Sequence, residues 1–218
     1  MKNKVILFRG RSSIDNSQKV PLIPLSLICL ASVVQPDFVP VILDGDVKSE
    51  AELRLELDKN LNDTICIAIS ALTGPQITDG LAFSAYSLEK NPAVPIIWGG
   101  WHVSSLPEES IKEKSIDAIV VGLGQITLPE ILHRIQKGQR YDDIRGVLTK
   151  ENLQSGSYKD IILRPDYLSA VPLPAFDLLD LGYYKKQSEA VLPFPEINGI
   201  KLTGFTFYPG SFGCPFSC

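Results

Sequence analysis

The chain has 218 residues, of which 44% are hydrophobic and 21% charged, and its net charge is −4. This composition is typical of a globular protein with room for one domain and an extension, and the negative charge argues against a surface that binds nucleic acid. The apolar run at 5–8 is too short for a signal peptide, and no apolar stretch has the length of a membrane span. The four cysteines are not spaced as a disulfide framework. We therefore expect a cytoplasmic protein with reduced thiols.

Up to about residue 140, short apolar runs alternate with amphipathic stretches. The runs are rich in Val and Ile and continuously apolar, as strands buried on both faces are. We predict strands at 5–8, 39–43, 65–69, 94–98 and 116–121, and helices at 22–34, 51–60, 76–90, 107–114 and 128–137. This alternation predicts an α/β fold with a doubly wound, five-stranded parallel sheet of flavodoxin-like, Rossmann-type strand order.

The pattern changes beyond residue 140. Short strands are indicated at 145–149 and 161–163, and four prolines then punctuate a stretch with little periodicity. A strand at 201–208 leads into a glycine-containing loop. We predict an α/β domain over 1–140, an irregular connector over 141–204 and the start of another domain over 205–218.

Four predicted strands are followed by loops that contain glycine, and two of these loops also carry hydroxyl side chains. In an open parallel sheet, ligands bind at the carboxyl ends of the strands, near the switch in strand order. Glycine lets the backbone approach a bulky ligand, so these loops suit a nucleotide or a nucleotide-tailed cofactor. The alternative is that they are tight strand-to-helix turns. The candidate cofactor-binding residues are Arg9, Ser70, Leu72, Thr73, Gly74, Pro75, Gly99, Gly100, Trp101, His102, Gly122, Gly124 and Gln125.

The sequence closes on Cys214-Pro-Phe-Ser-Cys218. Two thiols at this spacing can be incidental or can supply half of a zinc site. They can also be part of an iron–sulfur ligand set, although a [4Fe–4S] cluster needs at least three thiolates.

Together these segments resemble the N-terminal part of a cobalamin-binding radical S-adenosylmethionine (SAM) enzyme, over essentially the whole chain. Ser70-Ala-Leu72 and Gly99-Gly100 match the S-x-L and G-G elements that enclose the nucleotide tail of cobalamin. The stretch 99–109 is similar to a G-G-x-H…P-E-E segment, and 172–177 resembles the P-x-P-A-(W/Y)-D linker before the radical SAM barrel. Cys214 and Cys218 match the first two positions of the C-x3-C-x2-C cluster motif.

This resemblance implies that the chain binds cobalamin. It implies that the intact parent enzyme also uses a [4Fe–4S] cluster and SAM, which it cleaves to a 5′-deoxyadenosyl radical, often for methyl transfer through cobalamin. Cys214 and Cys218 are then an incomplete metal-ligand set, and the sequence stops within the cluster motif. We expect a fragment that binds the cofactor, lacks its radical SAM barrel in cis and does not catalyse the reaction.

The chain departs from the family pattern in three places. The loop at 9–16 has no histidine, where many cobalamin domains place D-x-H-x-x-G, so the resemblance implies a base-off cofactor without a histidine from that loop. The usual G-E-G-E reads Gly122-Leu-Gly-Gln125, and the S-R-G before the first cluster cysteine reads Ser211-Phe-Gly213. His102 could contact the cofactor, or it could cap the following helix.

Two other classes remain as alternatives. One is a cofactor-free regulatory or interaction domain of flavodoxin-like fold, for which Asp44-Gly-Asp46 suggests a receiver-like phosphorylation site. Receivers, however, place their key aspartates after the first and third strands, where this chain has Arg9 and Ser70. The other is a flavin-binding flavodoxin, but the loop after the first strand is not the expected Ser/Thr-rich phosphate loop.

Overall fold

The computed structural model describes residues 2–13, 22–154, 158, 171–191, 196–197 and 200–201. Its main sheet has six strands in the order β2–β1–β3–β4–β5–β6. Strands β1 to β5 are parallel, which confirms the predicted flavodoxin-like arrangement, and β6 adds an antiparallel strand beside β5. The bounds are β1 Lys4–Arg9, β2 Val39–Asp44, β3 Thr64–Ser70, β4 Ile96–Gly99, β5 Ala118–Val120 and β6 Val147–Thr149.

Seven α-helices are described. They are α1 Leu25–Val34, α2 Glu50–Asn60, α3 Pro75–Lys90, α4 Trp101–Ser105, α5 Pro107–Ser110, α6 Gly124–Gln136 and α7 Leu181–Val191. Helix α2 begins with a capping box, in which Ser49 and Glu52 satisfy each other's backbone N–H groups. Helix α5 is shorter than the predicted 107–114, while α6 starts four residues before the predicted 128–137.

Helices cover both faces of the sheet and enclose two apolar layers. On the face of α2 and α3, Phe8 stacks on Phe83 with ring centroids 4.0 Å apart, and the Trp98 indole N–H donates to Ser84 Oγ at 3.0 Å. On the opposite face, the layer is formed with α1 and α6. Successive strand residues point to opposite faces. Because Trp98 faces α3, its neighbour Gly99 faces the α1/α6 side.

The segment after α6 contains more regular structure than the sequence suggests. Strand β6 pairs with β5, and the Asn152 side chain closes the turn behind it: Thr149 N–H donates to its Oδ1 at 2.7 Å, and its Nδ2 donates to Val147 O at 2.9 Å. Helix α7 and a two-stranded ribbon, β7 Glu196–Ile197 with β8 Ile200–Lys201, follow later. The predicted strand at 161–163 and most of that at 201–208 lie outside the described residues.

After residue 171, the connector lies against the α/β unit. Ala175 N–H donates to Ile28 O of α1 at 3.0 Å, and the Tyr184 hydroxyl of α7 donates to Asp44 at the end of β2 at 2.6 Å. A search of the described residues finds no helix with the length and apolarity needed to cross a membrane.

Candidate functional site

The carboxyl ends of β3 and β4 bring together two small residues, Ser70 and Gly99, and the open space above Gly99 is called the depression. Ser70 and Gly99 are register partners in these adjacent strands, on the α1/α6 side of the sheet. Ser70 Oγ donates to Ser26 Oγ of α1 at 3.1 Å. A Cβ placed on Gly99 would have Val120 O, at 3.9 Å, as its nearest neighbour. The glycine therefore leaves room that any larger side chain would fill.

The loops after β3 and β4 are joined by backbone hydrogen bonds. Ala71 N–H donates to Gly99 O at 3.0 Å, and His102 N–H donates to Ala71 O at 3.3 Å. Gly100 has a φ of +104°, and a Cβ there would lie 2.6 Å from Ala71 O. Since only glycine accepts both the positive φ and this approach without strain, Gly100 is what lets the two loops form one unit.

The side chains of the two loops also meet. Thr73 Oγ1 lies 3.1 Å from His102 Nδ1, so the histidine is held by the preceding loop. Beside this pair, the apolar side chains of Leu72 and Trp101 are 51% and 78% exposed. A flat, largely apolar ligand with polar substituents could lie against this exposed apolar surface. His102 is within the first turn of α4 and its ring bonds to Thr73, rather than capping α4.

The remaining glycine positions shape the neighbouring turns. Gly74, at a φ of +125°, precedes Pro75, which occupies the first turn of α3. Gly122 N–H donates to Ser104 Oγ at 3.1 Å. A Cβ on Gly124 would lie 3.1 Å from Leu30 Cδ2, so this glycine lets α6 approach α1, and half-buried Gln125 follows it in the first turn of α6.

Arg9 lies at the same edge of the sheet but in a separate, buried cluster. Its Nε donates to Asp44 Oδ1 at 2.8 Å, its Nη2 donates to Asp44 Oδ2 at 3.0 Å, and Asp46 Oδ2 is 3.3 Å away. Burial by itself would lower the pKa of Arg9, but the hydrogen bonds and charge of Asp44, with the charge of Asp46, raise it. The guanidinium is thus paired with these carboxylates and not with the loops after β3 and β4.

The same cluster bears on the receiver-like alternative. A phosphoacceptor aspartate must be accessible, whereas Asp44 and Asp46 are buried and their charge is offset by Arg9. Sequence reasoning could not foresee this, since Arg9 and Asp44 are 35 residues apart in the chain. The available signal was that these two residues of opposite charge directly follow predicted strands that are neighbours in a flavodoxin-like sheet.

A cavity that was not predicted from the sequence lies on the opposite face of the sheet. It has a volume of about 500 Å³ and is bordered by the loop after β2 and by α2, α3 and α7. Its wall includes Arg11, which is paired with Asp79 at 2.7 Å, and Arg54, whose guanidinium lies 4.6 Å from the centre of the Tyr86 ring. Tyr183 of α7 borders it as well.

The predicted metal ligands Cys214 and Cys218 lie outside the described residues. Within the part of the chain that the structure describes, no group of three or more His, Cys, Asp or Glu side chains could hold a metal ion. Burial raises the pKa of the Cys66 thiol, and partial burial raises the pKa of the Cys29 thiol. Both are therefore poor sources of thiolate at neutral pH.

No known family model matches this chain. It is 31% identical over 206 residues to an uncharacterized methyltransferase of Pyrococcus horikoshii; the match includes 89% of this chain but only 39% of that protein. The chain thus spans about two fifths of the length of this curated relative.

Two solved structures share the fold. One is the cobalamin-dependent SAM radical enzyme OxsB with aqua-cobalamin bound, with a TM-score of 0.65 and 21% identity over 85% of this chain and 25% of that chain. The other is the radical SAM methyltransferase TsrM of Kitasatospora setae with cobalamin and a [4Fe–4S] cluster bound, with a TM-score of 0.57 and 17% identity over 68% of this chain and 27% of that chain.

Proposed function

We propose that this chain is a cobalamin-binding module and that the nucleotide tail of the cofactor enters the depression between Ser70 and Gly99. The observation that carries the proposal is the space over Gly99, where the nearest neighbour of an added Cβ is 3.9 Å away. A strand residue on a helix-covered face is ordinarily packed by a branched side chain. The space above Gly99 would therefore accept a narrow group between the sheet and helix α1.

Different residues around the depression would bind different parts of the cofactor. Ser70 and Ser26 offer hydroxyls at its side, and the Thr73–His102 pair offers polar atoms at its mouth. Leu72 and Trp101 provide the exposed apolar surface on which a corrin ring would lose its contact with water. Bound cobalamin would supply a cobalt centre able to carry a methyl group.

The comparisons support the same family chemistry without extending to substrates. A relative described as a methyltransferase and two cobalamin-bound radical SAM enzymes share the sequence or the fold of this chain. In the parent enzyme we propose, Cys214 and Cys218 would contribute two thiolates to a [4Fe–4S] cluster, and SAM would bind there. The module itself would hold cobalamin at the carboxyl edge and leave the reaction to a barrel in cis.

Retention of the cofactor tests the proposal directly. Purified protein is mixed with hydroxocobalamin and passed through a desalting column, and the corrin spectrum of the protein fraction is recorded. We expect near-stoichiometric corrin absorbance. Folded protein that elutes without corrin would rule out the proposal, and a yellow protein with a flavin spectrum would favour the flavodoxin alternative.

A Gly99→Val variant tests the location of the tail. Valine suits a strand, and the space above Gly99 should accept it, so the unfolding free energy should be unchanged or higher. Corrin retention should nevertheless fall at least tenfold, because the branched side chain fills the depression. Gly138→Ala, at the opposite end of α6 from the carboxyl edge, is a control away from the site: its φ of +65° should lower the stability, but the variant should retain cobalamin. Full retention by Gly99→Val would place the tail elsewhere.

A further inference from the structure

Two described hydrogen bonds join the connector after residue 171 to the α/β unit. The first is the backbone bond from Ala175 to Ile28, next to α1. The second is Tyr184, whose side chain is 5% exposed and reaches the buried cluster at the ends of β1 and β2. The first contact is thus on helix α1, and the second is at the carboxyl ends of β1 and β2.

Tyr184 completes the hydrogen bonding of Asp44. Asp44 Oδ1 accepts from Arg9 Nε and from Asp46 N–H, at 2.8 and 3.0 Å. Asp44 Oδ2 accepts from Arg9 Nη2 at 3.0 Å and from the Tyr184 hydroxyl at 2.6 Å. Burial first, and then the charge of Asp44, raise the pKa of Tyr184, so its hydroxyl remains a neutral donor at physiological pH.

The rest of the described start of α7 makes little contact with the sheet. Among residues 181–186, Tyr184 is the one buried side chain: Leu181, Gly182, Lys185 and Lys186 are exposed, and Tyr183 is half-buried. The first turn of α7 is capped from within the connector, since Tyr183 N–H donates to Asp180 Oδ1 at 3.1 Å. The helix can therefore begin without the sheet, whereas its docking depends on Tyr184.

We propose that Tyr184 anchors the start of α7, residues 181–186, and that this segment can detach while the sheet stays folded. Tyr183 borders the cavity of about 500 Å³ between α2 and α3, so release of the anchor would uncover that cavity. Arg9, Asp44 and Asp46 stay together after release, because their mutual bonds do not involve the connector. This inference does not rest on cobalamin binding.

Limited trypsin digestion of the full chain tests the anchor, because Lys185 and Lys186 directly follow Tyr184. Cleavage at these lysines is followed by mass spectrometry in the wild type, in Tyr184→Phe and in the matched control Tyr183→Phe. A hydrogen bond from a neutral donor to a buried carboxylate is among the stronger ones in proteins. Its loss should speed cleavage at 185–186 about tenfold or more in Tyr184→Phe, and less than twofold in Tyr183→Phe.

Hydrogen exchange distinguishes local opening from general loss of stability. In Tyr184→Phe, amides of α7 should exchange faster while those of β1 keep their wild-type protection. Equal acceleration in α7 and β1, or equal effects of the two phenylalanine variants, would overturn the proposal. If Tyr184→Phe folds poorly, the wild type in low urea gives the same test: α7 must lose protection at lower urea than β1, and loss at the same urea overturns it.

Discussion

Replacement of Gly100 by alanine should destabilise the fold through two separable effects. The first is conformational: a φ of +104° costs a residue with a Cβ about 1–3 kcal/mol. The second is steric, because the Cβ would lie 2.6 Å from Ala71 O and 2.9 Å from Ala71 N. These are backbone atoms, so the overlap is relieved only if the loops after β3 and β4 separate. Overpacking of this kind costs about 1–3 kcal/mol, which gives a total of about 2–6 kcal/mol.

Gly74 provides the matched comparison. Its φ is +125°, but a Cβ there would meet no atom within 4 Å. Gly74→Ala should therefore show only the conformational cost, and the difference between the two variants isolates the contact of Gly100 with Ala71. Because single domains are typically stable by about 5–15 kcal/mol, both variants should retain enough folded protein to measure.

Urea unfolding followed by circular dichroism gives both free energies. We expect similar m-values and a midpoint that is clearly lower for Gly100→Ala than for Gly74→Ala. If the two variants lose the same stability, the close contact between the loops carries no energetic weight. A Gly100→Ala protein as stable as the wild type would refute the reasoning from φ as well.

Three further predictions follow from buried groups. Alanine is ordinarily more stable than glycine in a helix by about 1 kcal/mol. Gly80→Ala should nevertheless lower the unfolding free energy, because the new Cβ would lie 2.6 Å from Trp98 Cη2. A gain in stability on urea unfolding would contradict this close packing. Burial, with a smaller effect of nearby negative charge, raises the pKa of Tyr141 to about 12, above the value of about 10 expected when unfolded. The stabilisation from neutral Tyr141 is therefore present below pH 10 and lost as the pH rises toward 12, and Tyr141→Phe should flatten this part of the stability curve; an unchanged curve would argue against burial. Cys66 should resist iodoacetamide at pH 8 in the native protein and react after unfolding, as mapped by mass spectrometry, because burial raises the pKa of its thiol; rapid native labelling would contradict this.

The parallel sheet could be predicted because its strands carry their own signal. A run such as Ile65 to Ile69 is continuously apolar, and each such run is separated from the next by a helix-length segment. The loops after β3 and β4 were likewise predictable, since Ser70 and Gly99 end strands that the pattern had already indicated. Their mutual register, and the space over Gly99, needed the structure.

The elements that escaped prediction depend on distant contacts. Helix α4 begins directly after Gly100, which is in close contact with Ala71. Because α4 has only five residues, it has too few turns to show a helical period. Helix α7 has weak periodicity because its start buries one side chain, Tyr184, against a carboxylate 140 residues away. The partners of Arg9 were missed for the same reason. A basic residue at a strand end indicates an anion, but the sequence does not say whether that anion is a ligand or an aspartate.

The turn behind β6 has a consequence for how the molecule behaves in concentrated solution. A strand at the edge of a sheet normally has unpaired backbone N–H and C=O groups. Another chain can pair with these groups, which is a route to aggregation. Here the Asn152 side chain accepts from Thr149 N–H and donates to Val147 O, so it occupies the groups with which an incoming strand would pair. Among the described residues, one amide side chain thus satisfies two backbone groups of the outermost strand and should disfavour fibril-like growth at this edge.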